Sequence, residues 1–138
     1  MDISLVKNNG KLNLANMIYS RFTLEDILKD TLKFINDNPK EIVALWIRPQ
    51  PASGIFGNLK LYDPVTTADI DKVIENILGK SGKILTENDV KRPIKDYGGL
   101  YIVGESKYAP KSMQVYDTFN VVNDGDALTT VNNIAKWW

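Results

Sequence analysis

Phe34-Ile35-Asn36-Asp37-Asn38-Pro39-Lys40-Glu41-Ile42-Val43-Ala44-Leu45-Trp46-Ile47 decides the fold class of this chain. Pro39 lacks an amide hydrogen and restricts the residue before it, so a helix arriving from the amino side stops here. The six residues 42–47 are apolar without alternation. A strand wet on one face alternates, whereas a parallel strand buried on both faces reads as a continuous apolar run. A helix stop that feeds such a strand is the joint of a parallel α/β architecture.

Upstream of the joint, Leu24, Ile27, Leu28, Leu32 and Ile35 form an apolar stripe at helical spacing. Thr23 opens that helix as N-cap, with Glu25 and Asp26 in the first turn, where the helix dipole favours anions. Two apolar runs precede it, 3–6 and 12–19, separated by Asn8-Asn9-Gly10. Asn-Gly between such runs tolerates positive φ and predicts strand, turn, strand.

Downstream, residues 48–64 carry Pro49, Pro51, Gly54, Gly57 and Pro64 and read as a long loop. A second helix follows Thr66-Thr67, with Ile70, Val73, Ile74, Ile77 and Leu78 on one face and Gly79 closing it. Residues 100–103 read as another short buried strand and 114–122 as a further one. Asp126 caps a last helix through Leu128, Val131, Ala135 and Trp138. The expected fold is α/β, with parallel strands alternating with helices. The pattern does not separate an open sheet from a barrel.

The 138 residues suit one domain with a real core. Lys+Arg and Asp+Glu both number 17. A net charge of zero supplies no long-range field for nucleic acid or an anionic membrane, so neither is expected as an electrostatic partner. No cysteine is present, which removes disulfides and thiolate chemistry. That absence fits a cytosolic protein and a bacterial secreted one equally. No histidine is present either. Proton transfer near neutral pH loses its best-suited side chain, leaving carboxylates, Tyr or Lys. No apolar run is long enough for a transmembrane helix, and the first residues lack the basic start and apolar stretch of a signal peptide. They read as a strand, and a chain that starts abruptly in a strand looks cut from something longer.

Three stretches together carry a family resemblance: Asp2-Ile3-Ser4-Leu5, then Thr23-Leu24-Glu25-Asp26-Ile27-Leu28, then residues 34–43 with the Asn38-Pro39-Lys40-Glu41 junction. They resemble the X-domain of phosphatidylinositol-specific phospholipase C, bacterial type. Weaker likeness continues through Gly99-Leu100-Tyr101-Ile102-Val103 and Val115-Tyr116-Asp117-Thr118-Phe119. The resemblance implies an irregular (β/α)8 TIM-type barrel, of which residues 1–138 are a single partial domain, since such barrels need about 250 residues. Family members are often secreted, and compartment is left open here.

The family cleaves a phosphodiester, with one His as base, another as acid and Arg or calcium stabilising charge. By resemblance, Asp2 matches the acidic residue of the second barrel strand. Ser4 stands where bacterial members carry a phosphate-stabilising Arg and animal members a calcium-binding Asp. Ala15 or Asn16 stands where the second catalytic His belongs. Arg48 matches a basic residue of bacterial members, and Glu105 falls where they place an inositol-contacting Arg. Asp117 and Phe119 match an acid and an aromatic that hold the sugar ring. Ser and Ala neither shuttle a proton at neutral pH nor neutralise a phosphorane, and loss of a general acid alone removes about 10²–10⁴ in rate. The implied chain is a catalytically silent relative that needs no cofactor or metal and takes a phosphoinositide or inositol phosphate.

Each residue also has an ordinary reading. Asp2 is a polar strand start, Arg48 a solvated strand end, and Asp117 beside Phe119 an acid next to a core ring. Trp137-Trp138 reads as helix packing, and Gly79-Lys80-Ser81-Gly82 is no Walker loop because it follows a helix instead of opening one. Two rival classes accompany the first: a non-catalytic polyol- or protein-binding domain on the same scaffold, and a fragment whose open sheet edges are completed by another segment or a second copy.

Overall fold

The computed structural model describes residues 1–16, 18–50 and 62–113. Strand β1 (Asp2–Asn8) turns back into β2 (Lys11–Asn16), which is followed by β3 (Ile18–Thr23) and helix α1 (Leu24–Asp37). Strand β4 (Ile42–Pro49), helix α2 (Thr67–Leu78) and strand β5 (Gly99–Val103) are the remaining strands and α-helix among the described residues. The five strands form one sheet in the order β3-β2-β1-β4-β5.

The sheet is mixed. β1, β4 and β5 run parallel, as the apolar run at the Pro39 joint predicts, with Ser4 beside Arg48 and Leu45 beside Ile102. β2 and β3 run antiparallel to their neighbours, Leu5 facing Leu14 and Ala15 facing Tyr19. The apolar run 12–19 is therefore not one strand. It breaks into β2 and β3, and the register slips between Asn13 and Ala15. Asn13 Nδ2 donates to the Ser20 carbonyl (3.1 Å) across this irregularity. The two-residue turn Asn9-Gly10 joins β1 to β2 with φ of 48° and 74°. Positive φ at both central residues gives the twist that antiparallel neighbours need, and Asn-Gly supplies it with little strain.

Both helices begin with a capping box. Thr23 Oγ1 accepts from the Asp26 amide while Asp26 Oδ2 accepts from the Thr23 amide; Thr66 and Asp69 repeat the arrangement. Two otherwise unsatisfied donors are satisfied at each helix start. α1 ends at Asn38, one residue ahead of Pro39, and α2 at Gly79.

Both helices lie on the same face of the sheet. Ile3 and Leu5 of β1, Leu12 of β2, Leu45 and Ile47 of β4, and Leu100 and Ile102 of β5 meet Leu24, Leu28 and Ile35 of α1 and Ile70, Ile74 and Leu78 of α2 in one buried cluster. Burying an aliphatic side chain of this size contributes about 1.5–3 kcal/mol, so this single layer dominates stability. β4 differs here from its sequence reading: Leu45 and Ile47 are buried, but Ala44 is exposed and Trp46 only half-buried. An unbroken apolar sequence forms a strand with one covered face.

Candidate functional site

Alternation along the strands sends a second set of residues to the face opposite α1 and α2, which no helix among the described residues covers. Asp2 and Ser4 of β1 pair with Trp46 and Arg48 of β4, and Ala44 pairs with Tyr101 of β5. Asn13 pairs with Val6, so Ala15, two residues on along β2, belongs to the same face. Asp2, Ser4, Asn13, Trp46, Arg48 and Tyr101 thus share one surface with the buried Val6 and Ala15, while Ile3, Leu5, Leu45, Ile47, Leu100 and Ile102 face the helices.

At the centre of this surface Arg48 is held from three directions. Its Nη2 donates to Asp2 Oδ2 (2.9 Å), its Nε donates to Ser4 Oγ (3.2 Å), and its guanidinium lies 5.4 Å from the centre of the Trp46 ring. The Arg48 and Asp2 side chains remain 39% and 48% exposed, so the pair faces water. A guanidinium carries five N–H donors in a planar fork. Two are engaged here, leaving the Nη1 edge directed by a fixed plane. An oxyanion fits such an edge, and the neighbouring carboxylate accepts hydroxyl protons.

The structure therefore brings together Asp2, Ser4 and Arg48, read from segments more than forty residues apart. Ala15 shares their face but is buried and carries only a methyl group. Glu105 is exposed in the turn after β5, where Gly104 adopts φ of 112° with the Ile47 carbonyl 2.7 Å from where a Cβ would stand. Asp117, Phe119 and the Trp137-Trp138 pair lie outside the described residues, as do the expected strand 114–122 and the last helix. Trp46 was not among the expected site residues. Its signal was its place two residues before Arg48 on one strand, which puts both on one face.

Toward the amino end of β5 the same face carries a second polar group. Tyr97 Oη and Tyr101 Oη are 2.8 Å apart with their rings edge to face, and Arg92 lies 5.3 Å from the Tyr97 ring centre. Burial pushes the Tyr101 hydroxyl well above the usual tyrosine range, and its bond to Tyr97 adds to the rise. A phenol so held does not ionise near neutral pH, so it is no base.

Among the described residues no three His, Cys, Asp or Glu side chains stand close enough to hold a metal ion. No helix among them is long and apolar enough to cross a membrane. Comparison with known proteins finds no matching family model, no matching curated protein and no matching solved structure.

Proposed function

We propose that the chain is an X-domain-like relative of the phosphatidylinositol-specific phospholipases C that has lost phosphodiester cleavage and retains recognition of an inositol phosphate on the sheet face opposite α1 and α2. The observation that carries this reading is the contact of Arg48 with Asp2 and Ser4. Three positions matched to the family from two separate segments, Asp2 and Ser4 on β1 and Arg48 on β4, meet through hydrogen bonds on adjacent parallel strands.

The placement of both helices on the opposite face supports the finer architecture, an arc of an irregular (β/α)8 barrel. In such barrels helices lie outside, and functional groups sit at the carboxyl ends of strands; Arg48 is the penultimate residue of β4. The antiparallel β2 and β3 are a departure that the barrel reading must absorb as irregularity.

In this proposal Arg48 takes a phosphate oxygen through its Nη1 edge, Asp2 both orients Arg48 and accepts a ring hydroxyl, and Ser4 fixes the Arg48 plane. Asp117 and Phe119 are proposed to complete the polyol contact. The chain holds no histidine to stand for either of the family's proton-transfer residues, which is why cleavage is left out of the proposed function.

Two measurements on the purified chain test the reading. Incubation with phosphatidylinositol vesicles is expected to release no inositol phosphate above the buffer blank; turnover would overturn the loss of activity. Titration with inositol monophosphate is expected to shift the amide resonances of residues around Asp2 and Arg48 in the native chain and not in Arg48→Met. Absence of any shift in the native chain would remove the ligand. A polyol-free protein-binding domain would then be the reading left.

A further inference from the structure

The turn that leads the chain into β5 is Lys91-Arg92-Pro93-Ile94-Lys95. Ile94 is 71% exposed, the most exposed large apolar side chain among the described residues. Lys91, Arg92, Pro93 and Lys95 are exposed around it. A single exposed aliphatic residue needs no explanation. An aliphatic tip flanked on both sides by cations is a different object.

The base of the turn is fixed while its tip is not covered. Arg92 donates to Asp89 Oδ1 (3.3 Å) and stacks on Tyr97, whose hydroxyl bonds that of buried Tyr101. Asp89 in turn accepts from the Thr86 amide and hydroxyl. Pro93, at φ −58°, starts the 3-10 turn Ile94–Asp96 that presents Ile94. Lys91 and Lys95 make no ion pair among the described residues, so both ammonium groups are available to a partner.

We propose that this turn is a peg for an anionic lipid bilayer, with Ile94 entering the boundary between headgroups and acyl chains and Lys91 and Lys95 set on acidic headgroups. Charge complementarity and the aliphatic tip select this occupant. An exposed aliphatic tip gains nothing against the phosphates that lysines contact on a nucleic acid, and a folded acidic protein calls for a pocket that fits one isoleucine. A bilayer accepts an aliphatic group anywhere on its surface. The zero net charge of the whole chain does not oppose this, because surface potentials act within about 8–10 Å at ordinary ionic strength.

The inference is independent of the proposed inositol phosphate site. The turn precedes β5, whereas Arg48 ends β4, and the two strands are parallel. Arg48 lies two residues past Trp46, the last β4 residue paired with β5, so peg and polar site are separated along the strand direction.

Co-sedimentation of the whole chain with vesicles tests the peg. Binding is expected to vesicles of phosphatidylcholine with phosphatidylserine, not to phosphatidylcholine alone, and is expected to weaken with added salt. Lys91→Gln and Lys95→Gln are each expected to reduce partitioning about fivefold, the equivalent of the ~1 kcal/mol that one basic residue contributes near an acidic lipid surface. Ile94→Ser is expected to reduce it severalfold, and Lys29→Gln on α1 to leave it unchanged. A native chain that stays in the supernatant at low salt overturns the proposal. So does binding that survives the Ile94 and Lys91 changes in variants with native circular dichroism. Capture by soluble polyglutamate without vesicle binding would assign the turn to an acidic protein and equally overturn it.

Discussion

Lys7 Nζ lies 2.8 Å from Asp69 Oδ1, joining the carboxyl end of β1 to the first turn of α2. Asp69 is also the acid of the α2 capping box, so one carboxylate accepts from Lys7, from the Thr66 amide and from the Thr66 hydroxyl. The Lys7 bond first, and the Thr66 amide next, hold its carboxyl at about 2. Both partners are roughly three-quarters covered, so solvent weakens the pair only partly.

The sign of the pH dependence follows from that lowered value. The folded state binds the Asp69 proton less readily than the unfolded chain, so its stabilisation is complete above the ordinary carboxylate range. It is lost as pH falls through that range toward about 2. Asp69→Asn is expected to cost about 1–2 kcal/mol at neutral pH and to flatten the acid limb of stability against pH. Urea unfolding at a series of pH values measures both.

The two capping boxes predict different partners for the same kind of loss. Thr23→Ala and Thr66→Ala are each expected to cost about 1 kcal/mol. Only Thr66→Ala is expected to weaken the dependence on Lys7, because its capping acid also takes that lysine. A double-mutant cycle with Lys7→Met is expected to show coupling for Thr66 and none for Thr23.

Two glycines with positive φ are expected to respond unequally to alanine. A Cβ at Gly10 meets open space, so Gly10→Ala meets only the left-handed backbone preference, about 1–2 kcal/mol. A Cβ at Gly104 stands 2.7 Å from the Ile47 carbonyl, a backbone atom that cannot turn aside. Gly104→Ala is therefore expected to destabilise more than Gly10→Ala, by thermal unfolding, and to disturb the β4–β5 register.

In the interior, Leu45 and Leu100 are fully buried between sheet and helices. Either one changed to Ala is expected to cost about 2–5 kcal/mol. Asp2→Asn, by contrast, breaks an exposed pair and is expected to change stability by less than about 1 kcal/mol. Its expected effect is on Arg48, whose side-chain resonances lose their single environment.

The elements that were legible in the sequence are those whose signals are local. Thr23 and Thr66 each stand three residues before an acid, Pro39 ends a helix, and Asn9-Gly10 makes its own turn. The break between β2 and β3 was not legible, because the apolar run 12–19 carries no Pro or Gly to mark it and the slip at Asn13 depends on a cross-strand partner. One-sided burial of β4 was hidden too. Ala44 and Trp46 are as apolar as Leu45 and Ile47, and only the placement of the helices decides which pair is covered. The meeting of Asp2, Ser4 and Arg48 rested on family likeness, since the register that joins them is set across more than forty residues.

Because α1 and α2 cover one side of the sheet, neighbouring letters of the same strand answer to different surroundings. Ile3, Leu5, Leu45 and Ile47 belong to the buried cluster, whereas Asp2, Ser4, Trp46 and Arg48, interleaved with them, are exposed or half-buried on the other face. A library that randomises only those four interleaved codons would sample new specificities on an intact scaffold.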